Sequence, residues 1–107
     1  MADDVMAEIE REIRSNKVMI YMKGTPAFPQ CGFSAATVEI FRELGRPFKT
    51  VDVLASPAKR EAIKRYSSWP TLPQVYVNGA FIGGCDIVRE LYQKGELQRV
   101  VDRAFEE

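Results

Sequence analysis

The chain has 107 residues, fifteen basic against fifteen acidic, with 46% apolar and 28% charged residues. That length fits one compact domain, 1–107, with a single core, and the composition argues against disorder. Balanced charge gives nucleic acid or an anionic membrane no global attraction, and no apolar run approaches the roughly 20 residues that span a bilayer, so neither is an expected partner.

The opening stretch MADDVMAEIEREIR is acidic and amphipathic, unlike a basic signal peptide or an acid-poor transit peptide. Asp3 or Asp4 is placed to cap a first helix with the apolar stripe Val5, Ile9, Ile13. KVMIYMK then reads as a buried strand, and Gly24 to Gln30, with two prolines and a glycine, as a loop. After Cys31, the residues Phe33, Ala36, Ile40, Phe41 and Leu44 recur at helical spacing up to Gly45, and FKTVDV is a second strand. Ser56 and Pro57 open a third helix as N-cap and first-turn proline, with Ala62, Ile63 and Tyr66 facing inward. In QVYVNGAFIGG, Asn78-Gly79 between two apolar runs is a two-residue hairpin turn. Val88, Leu91 and Tyr92 mark a fourth helix stopped at Gly95, and Leu97, Val100, Val101, Ala104 and Phe105 a last one. A strand–helix–strand unit followed by a hairpin gives a small mixed four-stranded sheet flanked by helices, an α/β arrangement of thioredoxin-like type.

The chemistry centres on Cys31, which leaves the first loop at the start of a helix. Two cysteines do not make a secreted disulfide framework, so a reducing compartment and free thiols are expected. The absence of histidine excludes a Cys–His pair, a His–Asp triad and the common zinc sites. The frame of a Cys-x-x-Cys redox motif is present, but its last position is Ser34, which cannot form a disulfide. A helix N-terminus lowers a thiol's pKa through unpaired N–H groups and the helix dipole, and small Gly32 lets a large partner approach. A buried, inert cysteine is the competing interpretation; the Pro/Gly loop before Cys31 and the helix after it speak against it.

The segments KGTPAFPQCGFS, WPTLPQVYVNG and GGCD, in this order and spacing, resemble the signatures of the monothiol, CGFS-type glutaredoxins over essentially the whole chain, in the family's single-domain form. The resemblance implies a glutathione site. Lys23 and Arg60 match the basic residues at the glycine carboxylate. The Leu72 backbone, before a cis Pro73, matches the rung that pairs with glutathione's cysteine moiety. The amides of Cys85 and Asp86 match the holders of the γ-glutamyl carboxylate, with the Asp86 side chain on the ammonium. Without the resemblance, Lys23 and Arg60 read as solvated charges, Pro70 and Pro73 as an ordinary turn, and Asp86 as a helix cap. Cys85 stays open between a small residue used for its backbone and a thiol able to pair with Cys31 on oxidation, the former favoured.

The resemblance further implies that Cys31 ligates a 2Fe–2S cluster at a homodimer interface, with glutathione supplying the missing sulfurs. Such a chain passes the cluster to acceptor apoproteins, takes part in redox and iron homeostasis, and also pairs with BolA-like proteins. The alternative is a glutathione-dependent disulfide oxidoreductase that removes glutathione from mixed disulfides with Cys31 alone; such enzyme activity is expected to be weak beside the carrier role. The expected location is the bacterial cytoplasm, with the mitochondrial matrix as the alternative.

Overall fold

The computed structural model describes residues 2–106. Its helices are α1 (Ala2–Ser15), α2 (Gly32–Leu44), α3 (Pro57–Ser67), α4 (Cys85–Gln93) and α5 (Glu96–Ala104). The strands are β1 (Val18–Met22), β2 (Lys49–Asp52), β3 (Gln74–Val77) and β4 (Ala80–Gly83). They form one sheet in the order β2-β1-β3-β4. β1 is parallel to β2, with Met19 opposite Lys49, and antiparallel to β3, with Ile20 opposite Val75; β3 and β4 form the hairpin. This is the mixed, thioredoxin-like α/β sheet that the element order predicts.

β1 is buried along its whole length. Alternation sends its side chains to opposite faces, so one strand feeds two half-cores. Val18, Ile20 and Met22 join Val38, Phe41, Val88, Leu97 and Val101 from α2, α4 and α5. Met19 and Tyr21 join Ile9, Ile13, Ala62 and Ile63 from α1 and α3. That second half-core carries a polar seam. The Glu12 carboxylate accepts the Tyr21 hydroxyl at 2.6 Å and the Lys59 ammonium at 2.7 Å, and Lys59 also pairs with Glu8. Burial holds the Tyr21 hydroxyl protonated and therefore a donor.

Several local expectations need correction. α1 already runs from Ala2, so Asp4 falls in its first turn, where a carboxylate suits the positive end of the helix dipole, and does not precede the helix as a cap; the side chain of Asp3 lies outside the described residues. β2 is shorter than FKTVDV, because Val53 starts a 3-10 turn, Val53–Ala55, capped by the Asp52 side chain. Tyr92 and Val100 are more than a third exposed, so the inward faces of α4 and α5 are narrower than their apolar spacing suggests. Gly95 caps the start of α5, while α4 has already ended at Gln93. Ser56 caps α3 as expected, accepting the Lys59 amide, and Asn78 and Gly79 both take the positive φ of the hairpin turn.

Gly24, the second residue after β1, has φ of +90°, and its amide donates to Asp52 Oδ1 at 2.9 Å. A Cβ there would stand 2.5 Å from the Phe28 carbonyl oxygen and 2.6 Å from the Gln30 nitrogen. Both are backbone atoms that cannot step aside cheaply. Gly24→Ala is therefore expected to destabilise the fold by on the order of 1–3 kcal/mol, measured by urea denaturation. A midpoint equal to that of the parent chain would show that the loop relaxes freely.

Candidate functional site

β1 ends at Met22, and the chain returns through a short loop to start α2. Three hydrogen bonds hold that return. The Lys23 amide donates to Ser34 Oγ at 3.1 Å, the Gln30 amide to the Lys23 carbonyl at 2.9 Å, and the Gly24 amide to Asp52. Cys31 thereby becomes the N-cap of α2, extended in backbone and half-exposed, with no side-chain capping bond of its own. Its sulfur faces the first N–H groups of the helix. The Ser34 backbone N–H holds the thiol below the ordinary cysteine range, with lesser help from the Phe33 N–H and the Lys23 charge, against the opposing effect of partial burial. Cys85 is buried, and both thiols are free.

The sulfur opens onto a groove of about 490 Å³. Lys23, Cys31, Arg60, Leu72, Cys85 and Asp86, brought from the end of β1, from α3, from the loop before β3 and from the start of α4, all line it. The Leu72–Pro73 bond is cis, as the resemblance implies. At the far end, α4 starts at Cys85 with Gly84 as N-cap and no side-chain cap, so Asp86 lies in the first turn and is not the cap. The first N–H groups of α4 therefore have no intrahelical partner, and Cys85 and Asp86, the first two residues of that helix, line the groove. A Cβ at Gly84 would come 3.3 Å from the Pro73 carbonyl oxygen, a tight contact that would press on the groove wall.

The groove's cations are little neutralised by the protein. Among the described residues, Lys23 and Arg60 join no ion pair, and the buried Arg60 Nε has no hydrogen-bond partner. A buried guanidinium nitrogen without an acceptor is costly, and an anion at this end would supply one.

Sequence reasoning missed Lys64, and it assigned Phe33 to the apolar repeat of α2 without a role at the groove. Lys64 sits one turn after Arg60 on α3 and lines the groove; the spacing of four from Arg60 is the signal that could have found it. Phe33 belongs to the helical apolar repeat of α2, but it is 59% exposed and forms part of the groove wall. Apolar spacing does not distinguish a core from a groove. Trp69, from the quoted WPTLPQ segment, lines the groove as well.

The Glutaredoxin family model matches residues 18–82. The chain belongs to the glutaredoxin family. It is 55% identical over 105 residues to an uncharacterized monothiol glutaredoxin, ycf64-like, of Synechocystis sp., covering 98% of both chains. It is 47% identical over 94 residues to glutaredoxin 4 of Escherichia coli, covering 88% of this chain and 82% of that one. Among solved structures, reduced poplar apo GrxS14 superposes with a TM-score of 0.81 at 48% identity, covering 92% of this chain and 90% of that one. A buckwheat glutaredoxin–glutathione complex, at 23% identity, shares the fold with a TM-score of 0.86 and covers 96% of this chain and 92% of that one. These relatives, with Ser34 in the place of a resolving thiol, place the chain among the monothiol glutaredoxins.

A depressed thiol pKa makes alkylation of Cys31 rise with pH at lower values than for an ordinary cysteine, because only the thiolate reacts. Iodoacetamide labelling with peptide mapping is expected to mark Cys31 well before buried Cys85. In Ser34→Ala the backbone N–H persists, so the midpoint is expected to stay depressed. Stability in the same variant should fall by about 1–3 kcal/mol, since the Lys23 amide loses its acceptor. A midpoint restored to the ordinary range would mean that the hydroxyl, not the backbone, controls the thiolate.

Proposed function

We propose that the groove binds glutathione, and that Cys31, bound glutathione and a second copy of the chain together carry a 2Fe–2S cluster for delivery to acceptor apoproteins. The observation that supports this reading is the pairing of one accessible thiolate with two separate anion sites in one groove. Glutathione carries two carboxylates, one ammonium and one thiol. Lys23 and Arg60 suit the glycine carboxylate, with the orphaned Arg60 Nε as a ready donor. The N–H groups of Cys85 and Asp86 suit the γ-glutamyl carboxylate, and the Asp86 side chain the ammonium. The Leu72 backbone lies between the two ends and suits the cysteine moiety.

The cluster is cargo in this proposal. Among the described residues no group of three or more His, Cys, Asp or Glu is placed to hold a metal. A 2Fe–2S cluster takes four ligands, and sulfur from Cys31 of two chains and from two glutathiones completes the set. A BolA-like protein replacing the second copy, and a bacterial cytoplasmic setting, belong to the same proposal.

The depressed Cys31 pKa also favours a second reading, a monothiol reductase. The Cys31 thiolate would attack the glutathione sulfur of a mixed disulfide and expel the substrate thiolate. A second glutathione thiolate would then attack the Cys31–glutathione bond, releasing Cys31 and oxidised glutathione. Turnover of a glutathionylated peptide measures this route.

Loss of charge at Lys23 or Arg60 is expected to weaken glutathione binding about tenfold or more, since a charge-assisted bond contributes about 1.5–3 kcal/mol. Calorimetry on Lys23→Ala and Arg60→Ala checks it; unchanged affinity would leave both as surface charges. For the cluster, anaerobic reconstitution with iron and sulfide is expected to give a coloured dimer only with glutathione present. Cys31→Ser should abolish the colour and Cys85→Ser should spare it. A stable cluster in a glutathione-free monomer, or in Cys31→Ser, would sink the carrier reading in favour of the reductase.

A further inference from the structure

Gln74 is a fully buried glutamine in a half-core otherwise made of Ile, Val, Leu, Ala, Met and Tyr. Burying an amide costs free energy unless its groups are bonded, and a leucine or methionine would fill the same space without that requirement. The amide is well partnered. Its nitrogen donates to the Trp69 carbonyl at 3.0 Å and to the Thr71 carbonyl at 3.2 Å. Carbonyls only accept, so the NH2 side must face them, and the amide oxygen accepts the Tyr76 hydroxyl at 2.9 Å. Burial pushes the Tyr76 pKa up to about 12, which keeps that hydroxyl a donor.

Trp69 to Pro73 form one wall of the groove, and Pro70 and Pro73 have no N–H with which to anchor it. The Trp69 amide is anchored to the Lys64 carbonyl and to Ser67 Oγ, and beyond it the Gln74 amide holds this wall from behind through the Trp69 and Thr71 carbonyls. The consequence follows from peptide geometry. In a planar trans peptide the C=O and the next N–H point in opposite directions. Because the Thr71 carbonyl is drawn inward onto Gln74, the Leu72 N–H is turned away from the sheet, to the groove side. Among the described residues that N–H has no hydrogen-bond acceptor.

We infer that Gln74 is a positioning residue that aims the Leu72 N–H into the groove for the backbone of a bound thiol peptide. The inference rests on the glutathione reading above. Two measurements test it, and glutathione titration of the parent chain comes first. If the parent chain binds no glutathione, the site reading and this inference fall together. Given binding, Gln74→Met is expected to weaken it about tenfold, the equivalent of one well-aimed hydrogen bond. The core truncation Val101→Ala, in the other half-core, controls for lost stability and should bind within about twofold of the parent. The pH profile of Cys31 alkylation should be unchanged in Gln74→Met, because the thiolate is held by α2. Binding by Gln74→Met equal to the parent's, or weakened no more than in Val101→Ala, would overturn the positioning role. Hydrogen exchange at the Leu72 amide of the unmodified chain tests the same point without any variant. Saturating glutathione is expected to slow that exchange at least tenfold, and unchanged exchange would overturn the inference while leaving the glutathione site intact.

Discussion

The hydrogen bond from the Lys23 amide to the buried hydroxyl of Ser34 fixes how the chain leaves its central strand and enters α2. With the Lys23 carbonyl taken by Gln30 and the Gly24 amide by Asp52, the peptide groups flanking Lys23 have little freedom. Cys31 is then delivered to the N-cap, where helix N–H groups stabilise its thiolate. A cysteine at position 34 would offer only sulfur, a weak acceptor, to the Lys23 amide. Serine there gives up covalent resolution of a disulfide and anchors the strand–helix junction instead.

The groove concentrates positive potential in a chain whose formal charge is zero. Lys23, Arg60 and Lys64 line it, and the N-termini of α2 and α4 bring the positive ends of two helix dipoles to it. Elsewhere, cations are spent on local pairs, such as Arg14 with Glu10, Arg42 with Glu39 and Lys94 with Glu90. Such exposed pairs add little stability; in the groove, Lys64 has Glu61 near it, while Lys23 and Arg60 join no ion pair among the described residues. Net charge alone therefore says nothing about the preference of the site for anions.

The two faces of the sheet divide the work. The face covered by α2, α4 and α5 is packed almost wholly by apolar side chains. The face covered by α1 and α3 carries the polar seam of Glu12, Lys59 and Tyr21, and the Gln74–Tyr76 pair that reaches the groove wall. Polar groups in a low-dielectric interior are costly when unpaired and rigid when paired. Their position behind the groove, with the Glu12, Tyr21, Gln74 and Tyr76 side chains all hydrogen-bonded, makes that half-core the stiff support of the binding face.

Much of this was legible in the residues alone. Periodicity and punctuation marked the order of helices and strands, Ser56-Pro57 marked a helix start, and Asn78-Gly79 marked the hairpin, because these signals act over a few neighbouring residues. Cys31 stood out for the same reason, lying between a Pro/Gly loop and a helical repeat. What the sequence left undecided depended on contacts between distant segments. The apolar spacing of Phe33 does not show whether a core or a groove lies opposite it. The spacing of four puts Lys64 on the same side of α3 as Arg60, but only the fold shows that this side lines the groove of a thiol more than thirty positions earlier. Gln74 reads as one polar residue at the head of an apolar strand until the fold places the Trp69 and Thr71 carbonyls against its amide. Local propensity is written in the chain; which groups face one another across the groove is decided only when the sheet brings β1, α3, the Pro73 loop and α4 together.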